Sequence, residues 1–266
     1  MKVPTRFALA LFAAITLLLG SVPAHAASKP PCKATLGACP ASGCELPSSP
    51  HGLMNRLKRT VPQGQTPMIA TLDDFEALQE HADNLLLPKS QKVDLTAAQR
   101  AKLKNLAVPS GATVSEGSFV EVQAFIVGLP NRPSANTSGE SVNCRLKRKE
   151  NNDLHIPIAR RWTHSEFQAV IVEMIPQHRP DGWSLDRLHA VAEQGRQVRV
   201  RGGLFYDNEH PVNDDPDNPK GGQPKRFSLW EVHPITEFLV CKTAKKACDR
   251  GDESLWQKIE NADGLE

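Results

Sequence analysis

The period of the hydrophobic pattern changes near Gly117, and this change constrains the fold of the 266-residue chain more than any other feature. Residues 71–107 carry apolar side chains at helical spacing, whereas apolar and polar residues alternate from residue 119 onward. Alternation puts successive side chains on opposite faces of a β-strand, so that one face can be buried. The sequence therefore predicts a mainly β domain preceded by a helical segment.

The β part is predicted to hold five to six strands, with one helix between the third and fourth main strands. Ser184 is suited to begin that helix and Gly195 to end it. A loop rich in Asp, Asn, Pro and Gly at 207–225 precedes the last strand. The predicted strands lie at 119–127, 142–147, 154–158, 169–175, 198–206 and 226–241. This order resembles the OB-fold, a five-stranded Greek-key barrel, over residues 117–242.

Four stretches of the same region carry a second resemblance. They read N-C-R-L-K-R-K-E-N-N-D-L-H-I, V-E-M-I-P-Q, R-V-R-G-G-L-F-Y-D-N-E-H and S-L-W-E-V-H-P-I. These stretches are similar to an uncharacterised family of exported bacterial proteins with an OB-fold-like domain. The resemblance supports the limits of the barrel domain and implies no activity.

The first 26 residues have the form of a secretory signal peptide. Two basic residues precede an apolar run at 7–20, and Ala24-His25-Ala26 is a small-residue cleavage site. The run is shorter than the ~20 residues that a membrane-spanning helix needs, so no transmembrane segment is predicted. The mature protein is expected to be periplasmic or secreted.

Three further segments flank the predicted barrel. Residues 27–70 have no sustained period and are interpreted as an irregular, Cys-rich extension. Residues 71–116 are interpreted as a helical segment whose two helices begin at Thr71 and Thr96. Residues 243–266 are interpreted as a C-terminal tail.

The charge of the mature chain is balanced. The whole chain has 32 Lys+Arg and 30 Asp+Glu, and removal of Lys2 and Arg6 with the signal peptide leaves 30 of each sign. Formal neutrality excludes a partner selected by bulk positive charge, so an anionic partner would need a local basic patch. No feature of the sequence indicates an oligomer.

All six cysteines lie in the mature part of the chain. An even number in an exported protein favours disulfides, although the sequence alone does not choose among the pairings. Cys241 and Cys248 could close a small loop, and one of the three cysteines in the extension should reach a distant partner. The alternative interpretation is a zinc site, but the cysteine spacings lack the C-x2-C pair that is typical of zinc sites. The cysteines are Cys32, Cys39, Cys44, Cys144, Cys241 and Cys248.

Carboxylates and imidazoles recur in patterns that suit a metal site. In both D-x-H and E-x-H the two residues lie on one face of a strand, and paired strands could supply four ligands. A structural hydrogen-bonded pair and acid–base catalysis are the alternatives for the same residues. The candidate metal ligands are Asp153, His155, Glu173, Asp207, His210, Glu231 and His233.

Basic residues form the strongest charged cluster of the predicted barrel. Together with nearby aromatic residues they could bind a single-stranded nucleic acid or an oligosaccharide. Aromatic residues make up only 5% of the chain, however, and a solvated sheet edge is the alternative interpretation. The candidate binding residues are Arg145, Lys147, Arg148, Arg160, Arg161, Arg199 and Arg201.

These observations predict an exported OB-fold-like binding module for an anionic or polar polymer, or for an envelope partner. Two alternatives stay open: a metal-dependent hydrolase that uses the His/Asp/Glu cluster, and a structural envelope protein without a ligand. The chain lacks the G-x-S-x-G, Walker A, G-x-G-x-x-G and H-E-x-x-H motifs. No catalytic residue is therefore assigned, and no cofactor other than a divalent metal is expected.

Overall fold

The computed structural model describes residues 32, 35–64, 66–86, 94–130, 139–262 and 264. The predicted signal peptide at 1–26 lies outside these residues. Within them the α-helices are α1 (Pro50–Lys58), α2 (Leu72–Leu85), α3 (Ala97–Arg100) and α4 (Leu185–Glu193). The strands are β1 (Met68–Ala70), β2 (Leu106–Ala107), β3 (Thr113–Val114), β4 (Phe119–Ile126), β5 (Leu154–Ala159), β6 (Val170–Met174), β7 (Arg196–Tyr206), β8 (Trp230–Ala244) and β9 (Trp256–Lys258).

Five of the strands close into a mixed barrel, which confirms the prediction of a mainly β barrel. The strand order is β4-β5-β6-β8-β7, and β7 pairs again with β4. All of these pairings are antiparallel except that of β6 with β8, which is parallel. In chain order, α4 lies between β6 and β7. At the margins β1 adds to β4, and β9 adds to β8 within the segment predicted as a tail.

The barrel interior is built from alternate residues of its strands, as the period of two predicts. Ile156, Val172 and Val232 are fully buried in the main core, and so is Val200 of β7. The residues between them on β5, β6 and β8 point to the outer face of the sheet. That outer face carries four of the candidate metal ligands, His155, Glu173, Glu231 and His233.

A close approach of β7 to β8 explains the glycine pair at 202–203. The register of the two strands shifts on both sides of Gly202. A Cβ atom at Gly202 would lie 2.3 Å from the Pro234 carbonyl oxygen, so only glycine fits there.

Two predicted elements differ in the structure. The strand predicted at 142–147 is wrong: Ser141–Asn143 form a 3₁₀ turn, and Cys144 and Arg145 both have φ of 55°, which interrupts an extended chain. The second predicted helix is only the four residues of α3, and β2 pairs with β3 beyond it. The predicted helix starts are confirmed, because Thr71 and Thr96 both form capping boxes.

Three disulfides hold the segments outside the barrel. They join Cys32 to Cys44, Cys39 to Cys144, and Cys241 to Cys248. The predicted disulfides are confirmed, including the one that links the extension to a distant cysteine. Such bonds persist in oxidising compartments. None of the helices within the described ranges has the length and hydropathy needed to cross a membrane.

Replacing both Cys39 and Cys144 by serine is expected to lower the free energy of unfolding by about 2–4 kcal/mol. This disulfide closes a sequence separation of 105 residues, so it removes much entropy from the unfolded chain. Urea denaturation of the mature protein measures the loss. The matched control replaces Cys241 and Cys248, which are separated by only 7 residues, and should lose less. An equal loss in both variants would contradict the loop-closure account.

Candidate metal centre

The outer face of β5, β6 and β8 brings together acidic and imidazole side chains from three strands. His155 of β5 stands opposite Glu173 of β6 in the antiparallel register. Val172 stands opposite Val232, which places Glu173 beside the neighbours of Val232 on β8, including His233. Strand alternation and register thus gather side chains that lie up to 80 residues apart in sequence.

The long loop and the N-terminal extension cover this face. His51 of α1 contacts the hydroxyl of Ser141 at 2.7 Å, and Lys58 at the end of α1 reaches Glu209 of the loop at 3.5 Å. Asp153 and His233 are almost completely buried as a result. Burial of ionisable groups is costly unless they are paired or bind a metal.

His233 lies at the centre of the most buried group. Its Nδ1 lies 3.3 Å from Glu173 Oε2 and 3.6 Å from Glu231 Oε2, and its Nε2 lies 3.6 Å from Asp153 Oδ2. Within the described part of the chain, all five of these atoms are buried and lack a hydrogen-bond partner. Ligand atoms that share one tetrahedral ion at bond lengths of about 2.0–2.2 Å are separated by roughly 3.3–3.6 Å. The spacings of Glu173 and Glu231 from Nδ1 therefore suit ligands around one metal ion, while Asp153 lies at the other ring nitrogen.

A second group lies next to the first and is partly exposed. His155 Nε2 lies 3.3 Å from Glu140 Oε1 and 3.5 Å from Glu173 Oε1. Glu140 also accepts hydrogen bonds from the Asn143 amide at 2.9 Å and from the Asp153 backbone N–H at 3.1 Å. Among the described residues, two groups have ligand atoms that converge closely enough to hold an ion, Glu140–His155–Glu173 and Asp153–Glu173–His233.

The electrostatics of the two groups favour a cation. Burial alone would lower the pKa of His155, but the Glu173 and Glu140 carboxylates raise it to about 10. Burial and the neighbouring Glu140 charge raise the pKa of Asp153 to about 7. Burial opposes the ionised form of Glu140, yet His155 and Lys58 bring its pKa down to about 2. In the absence of metal, protons on the imidazoles balance the carboxylates, and a bound dication would displace these protons.

A third group joins the long loop to the barrel. Arg226 donates to Asp207 at 2.8 Å and also contacts Glu231, and all three side chains are about 1% exposed. Asp207 in turn contacts Nδ1 of His210 at 2.7 Å. Burial alone would raise the pKa of Asp207, but Lys58, His210 and Arg226 hold it well below its ordinary value.

An open cleft of about 400 Å³ lies beside these groups. Its lining includes His155 from the partly exposed group and His210 from the third group. Glu166 and residues 222–225, the end of the long loop, form other parts of the wall. Side chains that could hold a metal and a histidine that could transfer a proton therefore meet at one cleft.

The structure places all seven predicted metal ligands in the three neighbouring groups described above. Four of them form the two convergent groups, Glu231 contacts both His233 and Arg226, and Asp207 pairs with His210. Sequence reasoning missed Glu140, Lys58 and Arg226. Glu140 and Lys58 lie outside the β-strands, so no alternation of apolar and polar residues indicates that they face the site. Near Arg226, the only indication in the sequence was the polar composition of the preceding loop.

The seven basic residues predicted to bind a polymer lie on separate elements. Arg145, Lys147 and Arg148 flank short 3₁₀ turns, and residues 160–161 follow β5. Arg199 and Arg201 belong to β7, where Arg199 is buried against Glu253 and the Trp256 ring. Most of these guanidinium groups are held in ion pairs: Arg145 with Glu45, Arg148 with Glu150, Arg160 with Asp73 and Glu76, Arg199 with Glu253, and Arg201 with Glu121 and Glu237.

Comparisons of the chain with protein-family models, with curated proteins and with solved structures found no match. The class of the protein is therefore defined by its own fold and site. It is a β-barrel protein with a buried carboxylate–imidazole centre on the outer face of three strands, next to an open cleft.

Proposed function

We propose that this protein is a divalent-metal-dependent hydrolase built on an OB-type barrel. The observation that carries the proposal is the group around His233, where five buried polar atoms lack hydrogen bonds and lie at ligand-to-ligand spacing. A buried polar atom without a partner costs free energy, and a metal ion at this group would satisfy carboxylate oxygens together with one nitrogen of His233.

The position of the centre on the barrel supports this proposal. The strand order, the parallel pairing of β6 with β8 and the helix between β6 and β7 are those expected of an OB-type barrel. OB barrels bind ligands on the face of their second and third strands, aided by the loops after the first and fourth strands. Here those strands are β5 and β6, and the corresponding loops supply Glu140 and His210.

The donor set indicates which metals fit. Imidazole and carboxylate ligands together suit Zn²⁺ or Mn²⁺. An ion held by Glu140, His155 and Glu173 would face the cleft, where it would lower the pKa of a bound water. With that chemistry supplied, a water at the cleft would add to an ester carbon or phosphorus while the bond to the leaving oxygen breaks.

His210 is placed to protonate that leaving oxygen. Its Nδ1 is bonded to Asp207, so Nε2 is the ring nitrogen that remains for a reacting group. A buried carboxylate that fixes the tautomer and orientation of a histidine is the arrangement that general acid–base catalysis uses. The water gives its proton to a neighbouring carboxylate, and His210 gives one to the alkoxide, which balances the hydrolysis.

The proposal includes export of the protein to an oxidising compartment. Its support is the predicted signal peptide together with the three disulfides, which such a compartment preserves. The membership of the exported bacterial family stays part of the same proposal.

Hydrolysis by the mature protein tests the proposed function. Protein stripped with EDTA and reloaded with Zn²⁺ or Mn²⁺ is assayed on bis(p-nitrophenyl) phosphate, p-nitrophenyl phosphate and p-nitrophenyl acetate. We expect turnover of at least one substrate only in the reloaded protein. His210→Ala should lower kcat by roughly 100-fold to 10,000-fold while the metal content is unchanged.

The matched control is His81→Ala. His81 contacts the Ala107 carbonyl oxygen and does not line the cleft, so turnover should persist in this variant. Turnover that survives EDTA, or its absence with every metal and substrate, would contradict the hydrolase. Either alternative function, a polymer-binding module or a structural envelope protein, gives no turnover in this assay.

A further inference from the structure

We infer that the centre is dinuclear, with Glu173 as a carboxylate bridge between two metal ions; this inference rests on the proposed function. One ion would bind Glu140, His155 and Glu173 on the side of the cleft. The other would bind Asp153, His233 and Glu173 in the more buried position.

The two oxygens of Glu173 face different histidines. Oε1 lies 3.5 Å from His155 Nε2, and Oε2 lies 3.3 Å from His233 Nδ1. A single ion would be expected to draw the imidazoles toward one point, whereas here each ring approaches its own carboxylate oxygen. Enzymes with two metals hold them about 3.5–4 Å apart, a spacing that one bridging carboxylate spans.

An ion at the cleft-side group alone does not account for the unpartnered atoms of the buried group. An ion at the cleft-side group would use Glu173 Oε1 and leave Asp153 Oδ2, Glu173 Oε2 and the His233 nitrogens buried without partners. An ion at the buried group would satisfy carboxylate oxygens and one nitrogen of His233, but it would leave the convergent ligand atoms of Glu140 and His155, which lie 3.3 Å apart, without an ion. Two ions account for both groups.

The charged side chains of the surroundings favour the binding of cations. Among the described residues, the Lys and Arg side chains in contact with carboxylates of this region are Lys58, which reaches Glu209, and Arg226, which lies between Asp207 and Glu231. Arg59 instead donates to the backbone carbonyls of Cys39 and Pro40. These two cations face six carboxylates, so the region favours further positive charge; the carboxylates are Glu140, Asp153, Glu173, Asp207, Glu209 and Glu231.

Metal stoichiometry tests the inference. Mature protein stripped with EDTA is dialysed against Mn²⁺ or Zn²⁺, and the bound metal is measured by mass spectrometry. We expect two ions per chain in the unaltered protein and one in both His155→Ala and His233→Ala. The electron paramagnetic resonance spectrum of the Mn²⁺ form should show a coupled pair that both variants lose, whereas His81→Ala should keep two coupled ions.

The unaltered protein is decisive by itself, so a variant that fails to fold does not weaken the test. One ion per chain with metal-dependent turnover would overturn the dinuclear centre and leave the hydrolase intact. Failure to retain any stoichiometric metal would overturn the proposed function together with the inference.

Discussion

Glu173→Gln is expected to abolish the binding of both metal ions and, with it, the metal-dependent turnover. Glutamine keeps the size of the side chain but removes the charge and replaces one oxygen with an NH₂ group. Because the two oxygens of Glu173 serve separate histidines, one substitution damages both groups. We expect metal affinity to fall by more than about 100-fold, since even residues that only orient metal ligands change it by about 10–100-fold.

This effect is measured by the metal content after dialysis and by kcat on whichever of the three assay substrates the reloaded protein hydrolyses. The matched control is Glu166→Gln, the same substitution at another carboxylate of the cleft wall, where Glu166 pairs with Lys225 at 3.0 Å. This control should keep its metal. If Glu173→Gln retains two ions with unchanged affinity, Glu173 is not a metal ligand.

Arg226→Met is expected to lower the free energy of unfolding by about 3–5 kcal/mol. Arg226 is completely buried between Asp207 and Glu231, so its removal leaves two carboxylates buried without their cation. Removing one partner of a buried ion pair leaves the other charge desolvated and uncompensated. Urea denaturation of the metal-free protein at pH 7 measures the loss.

The matched control is Arg148→Met, because the Arg148 side chain is 81% exposed and should change stability by no more than about 0.5 kcal/mol. Adding Glu231→Gln to Arg226→Met should recover part of the loss, since one of the two unpaired charges is removed. Similar losses for the Arg226 and Arg148 variants would contradict the buried ion pair.

The same ion pair makes stability depend on pH in a defined direction. The pKa of Asp207 is well below its ordinary value in the folded protein. Its stabilisation is therefore complete above the unfolded pKa of about 3.9 and is lost as the pH falls through the folded value. Arg226→Met raises the folded pKa of Asp207, so the midpoint of acid unfolding should move to higher pH.

Local pattern predicted much of the barrel. Alternation of apolar and polar residues located β4 to β8, because a half-buried strand imposes this period on the residues that form it. The segment at 142–147 also alternates, but its backbone is decided by the Cys39–Cys144 disulfide and by the bonds from Asn143 to Glu140 and Asp153. The disulfide partner lies 105 residues away in sequence and therefore leaves no local signal.

The candidate site was likewise only partly predictable from local sequence patterns. The D-x-H and E-x-H pairs could be identified in the sequence because residues two positions apart along one strand lie on the same face. The proximity of Glu173 to both His155 and His233 depends on the register between strands, which is a property of the closed barrel. Glu140, Lys58 and Arg226 lie on irregular or terminal segments, so only packing against the barrel shows what they contact.

The sequence by itself determined the β-rich class of the fold, the strands of the barrel, the helix starts at Thr71 and Thr96, and the types of residue available for chemistry. Tertiary structure alone decided the disulfide pairing, the mutual placement of the acidic and imidazole side chains, and the cleft beside them. The physical reason is range: propensity, capping and alternation act between residues a few positions apart. Strand register, burial and charge compensation join residues up to about 150 positions apart, as Lys58 and Glu209 do.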